Sequence, residues 1–112
     1  MLELDEISEA GVTVLSPSGR LDSDTSPKLG LRLDALAQTD HGRLVLDLGG
    51  IDFVSSAGLR VILAAMKKAQ AAQGRFALCS LQPAVQEVLE IAGFSSLLSV
   101  HPGRGDALEA MA

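Results

Sequence analysis

The sequence has little that would build a disulfide scaffold, a thiolate metal site or an aromatic surface. Cys79 is the single cysteine among 112 residues, tryptophan and tyrosine do not occur, and aromatic residues make up 3% of the chain. One cysteine excludes an internal disulfide and a cysteine metal cluster. The scarcity of aromatic residues argues against functions that depend on stacked rings. We interpret Cys79 as a small buried residue in a strand.

The chain also lacks a basic block and a long apolar run. Its net charge of −5 argues against a nucleic-acid binder, which normally shows a basic face. The first six residues have neither the basic region nor the apolar stretch of a signal peptide, and no apolar run is long enough to span a membrane. We therefore expect a cytoplasmic protein without a membrane partner. Apolar residues make up 47% of the chain, which is enough for one globular domain over residues 1–112.

Enzyme motifs are missing as well. The nucleophile elbow of α/β-hydrolases needs a glycine two residues before the serine, and Val54 occupies that place ahead of Ser56. His41 and His101 fall in predicted loops far along the chain from this serine. The sequence contains no phosphate-binding Gly-x-x-x-x-Gly-Lys-Ser/Thr motif and no metal-ligand spacing. We expect no catalytic residues, no metal and no cofactor, and therefore not an enzyme.

What the chain does have is a central stretch around which the rest is organised. Residues 44–48 form an apolar run closed by two glycines, which predicts a buried strand. Leu59, Ile62, Leu63 and Met66 recur at helical spacing. The predicted connector between strand and helix carries Ser55 and Ser56. A serine at a helix start can cap the unpaired N–H groups, and such an end suits a phosphate or another anion.

The other elements follow from apolar periodicity and from proline and glycine. Leu29, Leu33 and Leu36 form a helical stripe after a Ser26-Pro27 start, in which Ser26 is expected to cap the helix. Pro17 and Gly19 are expected to end the second strand. The remaining predictions are strands at 2–7, 12–15, 75–80 and 97–100, a helix stop at 39–42, and helices beginning at Pro83 and spanning 106–111.

Strands and helices therefore alternate, which predicts an α/β fold. We expect a mixed sheet of about five strands, covered by about four helices mainly on one face. Active groups in such folds gather beyond the carboxyl ends of the strands. That rule points to two loops, which are predicted at residues 19–24 and 49–58.

Several motifs match one known family. Gly19-Arg20-Leu21-Asp22 matches a Gly-x-Leu-Asp loop, and further matches follow along the chain at Asp47-Leu48, Ile51-Asp52-Phe53, Ser56, Gly58-Leu59, Pro83-Ala84-Val85 and Gly93-Phe94. Over nearly its whole length the chain resembles the anti-sigma factor antagonists, which are single STAS domains with a mixed sheet and helices mainly on one face.

The resemblance implies a partner switch. In that family a serine kinase of the histidine-kinase-like ATPase type also acts as the anti-sigma factor. The unphosphorylated antagonist binds this kinase and frees the sigma factor. Phosphorylation prevents binding, and a serine phosphatase resets the switch. We expect this chain to be a monomer when it is alone.

Carried over by position, Ser56 takes the place of the phosphorylated serine and Asp22 that of the nearby loop aspartate. Ser55 stands where the family often has aspartate, so Ser55 competes as the modified residue. The implied partner-binding set is Asp22, Ser55, Ser56, Ala57, Gly58 and Leu59.

Each of these residues also has a structural interpretation. Ser56 could be a plain N-cap, and Asp22 could accept backbone hydrogen bonds within its loop. Gly58 could be small for packing or for the close approach of a kinase. The alternative function is a scaffold, in which a STAS subunit does not switch but remains docked in a transporter or a sensory complex.

Overall fold

An N-terminal hairpin precedes a series of alternating strands and helices. The computed structural model describes residues 2–39, 43–93 and 98–111. Within these ranges the elements are β1 (Glu3–Glu9), β2 (Val12–Leu21), α1 (Ser26–Thr39), β3 (Arg43–Asp47), β4 (Gly50–Val54), α2 (Ser56–Ala71), β5 (Arg75–Cys79), α3 (Pro83–Ile91), β6 (Ser99–His101) and α4 (Arg104–Met111). None of these helices combines the length and the hydropathy that crossing a membrane requires.

The described strands form one mixed sheet in the order β1-β2-β3-β5-β6, with β4 added to β2. The β1–β2 pair is antiparallel, and the other pairs are parallel. Ala10 and Gly11 join β1 to β2 with φ angles of 54° and 77°, as a two-residue hairpin of type I′ requires. The predicted α/β fold with a mixed sheet is confirmed.

Strand β2 is longer than predicted because it serves two neighbours in succession on one side. Residues 13–15 pair with β3, and residues 18–21 pair with β4. Pro17 lies between the two pairings, where its missing N–H breaks no parallel ladder bond. The prediction that Pro17 and Gly19 end this strand is therefore wrong, and the strand continues to Leu21.

Strand β4 was predicted as a connector. The register shifts between Gly19 and Arg20, whose partners in β4 are Ile51 and Phe53, so Asp52 is left between the two pairs. The buried residues Ile51 and Val54 consequently stand three apart, and the alternation typical of a strand is lost. The sheet therefore has six strands in the described ranges instead of about five.

The helices cover the two faces of the sheet unequally. Helices α1, α2 and α3 pack on one face, where Leu29, Ile62 and Leu89 join the main core. Helix α4 packs on the other face, where Ala107 and Met111 meet a smaller cluster. The prediction that the helices lie mainly on one face of the sheet thus holds for three of the four described helices. Side chains of β3 alternate between the faces, with Leu46 in the main core and Val45 in the smaller one.

The start of α1 differs from the prediction. Ser26 is 1% exposed, and its hydroxyl has no hydrogen-bond partner among the described residues, so it does not cap the helix. The Ser26 N–H instead donates to the carbonyl of Asp22 at 2.9 Å. Pro27 in the first turn and Pro83 at the start of α3 agree with the predictions.

Other predicted boundaries are close to the observed ones. Helix α1 ends at Thr39, and the rest of the predicted stop, residues 40–42, lies outside the described residues. Strand β6 begins at Ser99, and Leu97 also lies outside them. His101 belongs to β6 and not to a loop, and α4 begins at Arg104, two residues earlier than predicted.

Candidate functional site

The carboxyl ends of β2 and β4 lie side by side. Leu21 and Val54 are the last paired residues of the two strands. The N–H of Ser55 donates to the carbonyl of Leu21 at 2.7 Å, which joins the two chain segments where the strands end. Although much of the two predicted loops is strand, their ends meet as expected. We call residues 22–25 and 55–59 the site edge.

The two serines of the site edge have different roles. Ser55 has extended backbone angles (φ −89°, ψ 176°) and is the N-cap of α2, where its Oγ accepts from the Gly58 N–H at 3.4 Å. That distance lies at the long end of the hydrogen-bond range, so the cap is weak. Ser56 is the first residue of α2 and is exposed. No described residue hydrogen-bonds its hydroxyl. The prediction that Ser56 lies at a helix start is confirmed, and the capping role belongs to Ser55.

The residues after the serines fix the start of α2 against the sheet. A Cβ atom added to Gly58 would lie 3.0 Å from Leu21 Cβ, 3.1 Å from Val54 Cγ1 and 3.2 Å from the Leu21 carbonyl oxygen. Gly58 is buried, so packing within the chain accounts for its lack of a side chain. Leu59 is half-buried and packs against the main core. Of the implied partner-binding set, Ser56 is exposed, Gly58 is buried, and Asp22, Ser55, Ala57 and Leu59 are half-buried.

Asp22 organises the turn that leads into α1. Its Oδ1 accepts from the backbone N–H of Asp24 and of Thr25, both at 3.0 Å. Thr25 Oγ1 accepts from the Asp22 N–H at 3.0 Å and lies within hydrogen-bond distance of the Arg20 carbonyl. Sequence reasoning missed Thr25, although an Asp-x-x-Thr spacing before a helix is typical of such turns. Asp22 therefore accepts backbone hydrogen bonds within its loop, as its structural interpretation states. Any contact of Asp22 with a partner would be a second role.

The pKa of the Asp22 carboxyl is lowered from its ordinary value of 3.8, chiefly because the Thr25 N–H donates to it. The folded state thus favours the ionised form. Its contribution to stability is complete above pH 3.8 and is lost as the pH falls through the lower pKa of the folded state. We expect Asp22→Ala to reduce stability at pH 7, and the difference from the wild type to disappear in acid. Urea unfolding at a series of pH values measures this.

Asp24→Ala is the control for that experiment. It removes a neighbouring exposed carboxylate that accepts none of these hydrogen bonds. It should produce no loss of stability that vanishes in acid. If Asp22→Ala lowers stability equally at every pH, the charge of the carboxylate does not hold this turn.

Arg20 and Phe53 form a stacked pair just before the site edge. The guanidinium carbon lies 4.2 Å from the centroid of the Phe53 ring, and the two residues are direct partners across β2 and β4. Arg20 is exposed, and Phe53 is 40% exposed. An exposed cation–π contact is worth about 0.5–1 kcal/mol. Sequence reasoning did not bring these residues together, because their pairing depends on the unpredicted strand β4.

Asp47, from the matched Asp-Leu motif, is the last residue of β3 and has a structural role. One carboxylate oxygen accepts from the Gly49 N–H at 2.9 Å, and the other lies 3.0 Å from Arg104 Nη2. The same guanidinium donates to Ser16 Oγ at 2.9 Å, which fixes the start of α4. Cys79 is buried in the nearby strand β5, as predicted, and that burial raises the pKa of its thiol. Within residues 2–39, 43–93 and 98–111, no three histidine, cysteine, aspartate or glutamate side chains form a group that could hold a metal ion.

A comparison with protein families shows to which family the chain belongs. The STAS domain family matches residues 3–107 of the sequence. The chain belongs to the STAS family. The resemblance to anti-sigma factor antagonists is confirmed by relatives and solved structures that carry this name.

Three relatives illustrate how close the STAS match is. BtrV of Bordetella bronchiseptica, whose provisional name is anti-sigma factor antagonist, is 39% identical over 109 residues, which cover 97% of this chain and 92% of that protein. The anti-sigma F factor antagonist of Paenibacillus polymyxa is 29% identical, with 96% of this chain and 92% of that protein covered. An anti-sigma factor antagonist from Mycobacterium paratuberculosis has a crystal structure with a TM-score of 0.91, 28% identity and coverage of 99% and 94%.

Proposed function

We propose that this STAS domain is the switching component of a partner-switching pathway. Its unphosphorylated form binds a serine kinase of the histidine-kinase-like ATPase type, which is also an anti-sigma factor, and so releases the sigma factor. Phosphorylation of Ser56 by that kinase abolishes binding, and a serine phosphatase restores it. The names of the relatives support the general role of an anti-sigma factor antagonist. The role needs a recognised surface and a modifiable serine, and no catalytic residue of the chain.

The observation that carries the proposal is the different placement of the two adjacent serines. Ser56 is exposed at the first position of α2, and no described residue bonds its hydroxyl. A kinase can reach it without breaking an internal contact. Ser55 is half-buried, and its hydroxyl accepts from Gly58 in the cap. Modification of Ser55 would disturb the start of the helix, so accessibility favours Ser56.

A phosphate on Ser56 is compatible with the fold. It would add about −1.5 to −2 charges at neutral pH. The first turn of α2 contains no acidic residue that would repel these charges. The positive end of the helix dipole favours an anion at this place. We therefore expect the phosphorylated and unphosphorylated domains to have the same fold, so the switch has to act on the partner-binding surface.

The segments that meet at the site edge, residues 20–25 and 52–60, carry three carboxylates against the two cations Arg20 and Arg60, a net charge of −1. Asp24 and Asp52 are exposed, and Asp22 is half-buried. A doubly charged group added there is expensive to desolvate in an interface and repels any carboxylate that the partner presents. The loss of a tight complex needs only a few kcal/mol, because each ~1.4 kcal/mol changes the affinity tenfold. Charge at the contact surface thus suffices for switching.

The phosphorylated residue can be assigned by intact-mass measurement. The purified domain, Ser56→Ala and Ser55→Ala are each incubated with the cognate serine kinase and ATP. We expect the wild type and Ser55→Ala to gain one phosphate, and Ser56→Ala to gain none, since Ser56 is the accessible hydroxyl. Peptide mapping of the wild-type product then locates the phosphate.

Two results would change the assignment. If Ser56→Ala is phosphorylated and Ser55→Ala is not, the modified residue is Ser55. If a kinase that phosphorylates a known STAS substrate in the same preparation modifies neither serine, the switch proposal gives way to a permanently docked scaffold. Unchanged thermal unfolding of both variants shows that the result does not come from misfolding.

A further inference from the structure

The face of the sheet that α4 covers is only partly covered. Helix α4 packs on β3, β5 and β6. Strand β4 has α2 and α3 against it, and these helices lie on the main-core face. None of the described helices packs on the opposite face of the β2–β4 pair, and the exposed residues Arg20 and Phe53 lie on that face. A sheet face without a helix over it is a place where a partner can pack.

Phe53 is the aromatic one among the five large apolar side chains that are exposed in the described part of the chain. The sequence has three phenylalanines, of which Phe76 is 9% exposed and Phe53 is 40% exposed. The Arg20 guanidinium carbon lies 4.2 Å from the centroid of the Phe53 ring, so the stacked contact restricts the conformations of both side chains before any partner arrives. Preordered aromatic and arginine side chains lose little conformational freedom on binding and are enriched at energetic centres of interfaces.

The position of the stacked pair connects it with the site edge. Arg20 lies on β2, two residues before Asp22. Phe53 lies on β4, two residues before Ser55. Since both strands end at the site edge, a partner that covers Ser56 and extends back along the strands meets the stacked pair next. The stacked pair thus lies about 7 Å along the strands from Asp22 and Ser55, at the rise of about 3.3 Å per strand residue.

Charge indicates what that partner presents. No carboxylate among the described residues forms an ion pair with Arg20, in contrast to Arg32, Lys68 and Arg104. Its guanidinium interacts electrostatically with the Asp22 carboxylate, but no described carboxylate accepts a hydrogen bond from it, so its N–H donors remain available to a planar carboxylate. A partner that fits this surface offers an acidic group to Arg20 and an apolar group to Phe53.

We infer that the stacked pair of Arg20 and Phe53 is a second docking contact for the anti-sigma kinase, on the sheet face behind Ser56. This inference rests on the proposed function, because the partner is the same protein. It adds a specificity contact that phosphorylation does not touch. The pair supplies affinity and orientation, and the serine supplies the switch.

Calorimetric titration of the cognate kinase in its ADP form, which cannot transfer a phosphate, tests this contact. Arg20→Ala and Phe53→Ala should each weaken binding at least about tenfold, and the double variant should lose less than the product of the two factors, because the residues act as one unit. Arg20→Lys keeps the charge but not the planar stack, and should fall between the wild type and Arg20→Ala. Leu31→Ala is the control, since Leu31 is 72% exposed on α1 and should bind as the wild type does.

The kinetics of phosphorylation distinguish a docking contact from a pair that only positions Ser56. With ATP, loss of a docking contact raises KM for phosphorylation of Ser56 and leaves kcat unchanged. A fall in kcat would mean that the pair only positions the site edge, and would overturn the inference. The docking inference would also be overturned if Arg20→Ala and Phe53→Ala bind within twofold of the wild type. If Ser56→Asp loses binding in the same series, the proposed function still stands. If the wild type does not bind the kinase, both proposals fail.

Discussion

Replacement of Ser56 by aspartate is expected to weaken binding to the cognate kinase by at least about a hundredfold, or ~2.8 kcal/mol. The carboxylate places a negative charge where the phosphate would be, and the chain segments that meet there already carry the exposed carboxylates of Asp24 and Asp52. It adds no strain, because Ser56 is an exposed first-turn residue and a carboxylate is favourable at a helix N-terminus. The variant should therefore melt near the wild type while failing to bind. Calorimetry and thermal unfolding measure the two quantities separately.

The chain offers a matched control one residue earlier. Ser55→Asp adds the same charge, but aspartate is as good an N-cap as serine, so the side chain can keep the bond to Gly58. Because Ser55 is half-buried and its side chain is directed to Gly58, we expect Ser55→Asp to bind the kinase much more tightly than Ser56→Asp does, and Ser56→Ala to bind it constitutively. Equal loss of binding in both aspartate variants would mean that general repulsion, and not the position of Ser56, controls the complex. Wild-type affinity of Ser56→Asp would contradict the charge mechanism itself.

Substitution of Gly58 by valine is expected to lower the free energy of unfolding by about 1–3 kcal/mol. The new Cβ would lie 3.0 Å from Leu21 Cβ and 3.2 Å from the Leu21 carbonyl oxygen, and the strand backbone cannot move aside like the end of a long side chain. Valine has a slightly better helix propensity than glycine, so the loss would come from packing. Chemical denaturation measures the effect through the midpoint at unchanged m-value.

Gly105→Val is the control for this substitution. Gly105 lies in the first turn of α4, is exposed, and would place its Cβ more than 4 Å from any atom outside its own helix and chain neighbours. Its stability should stay within about 0.5 kcal/mol of the wild type. If the two variants are equally stable, the close approach of α2 to the ends of β2 and β4 does not need a glycine.

Helix α3 and strand β3 were predictable because their signals are local. Pro83 and a helical apolar stripe define α3, and an apolar run closed by two glycines defines β3. Strand β4 was not predictable, because its buried residues Ile51 and Val54 are spaced by a bulge that depends on pairing with β2. The length of β2 was missed for the same kind of reason. Pro17 is tolerated only because two different strands pair before and after it.

The site was predictable where it depended on sequence order and unpredictable where it depended on register. Both site segments follow strands, so their meeting near Ser56 could be expected. The stacking of Arg20 on Phe53 could not, since it needs the pairing of residues that are far apart in the chain. The choice between Ser55 and Ser56 as the cap also needed atomic positions, because serines are equally acceptable caps at either place.

The different roles of Ser55 and Ser56 have a consequence for protein turnover. Ser55 caps α2, and the Ser56 hydroxyl makes no hydrogen bond within the described chain, so a phosphate on Ser56 would not raise the fraction of unfolded molecules. Cellular proteases act mainly on that fraction. Phosphorylation would then not expose the antagonist to faster degradation. The kinase and phosphatase would control how the antagonist is divided between its two states without hastening its removal.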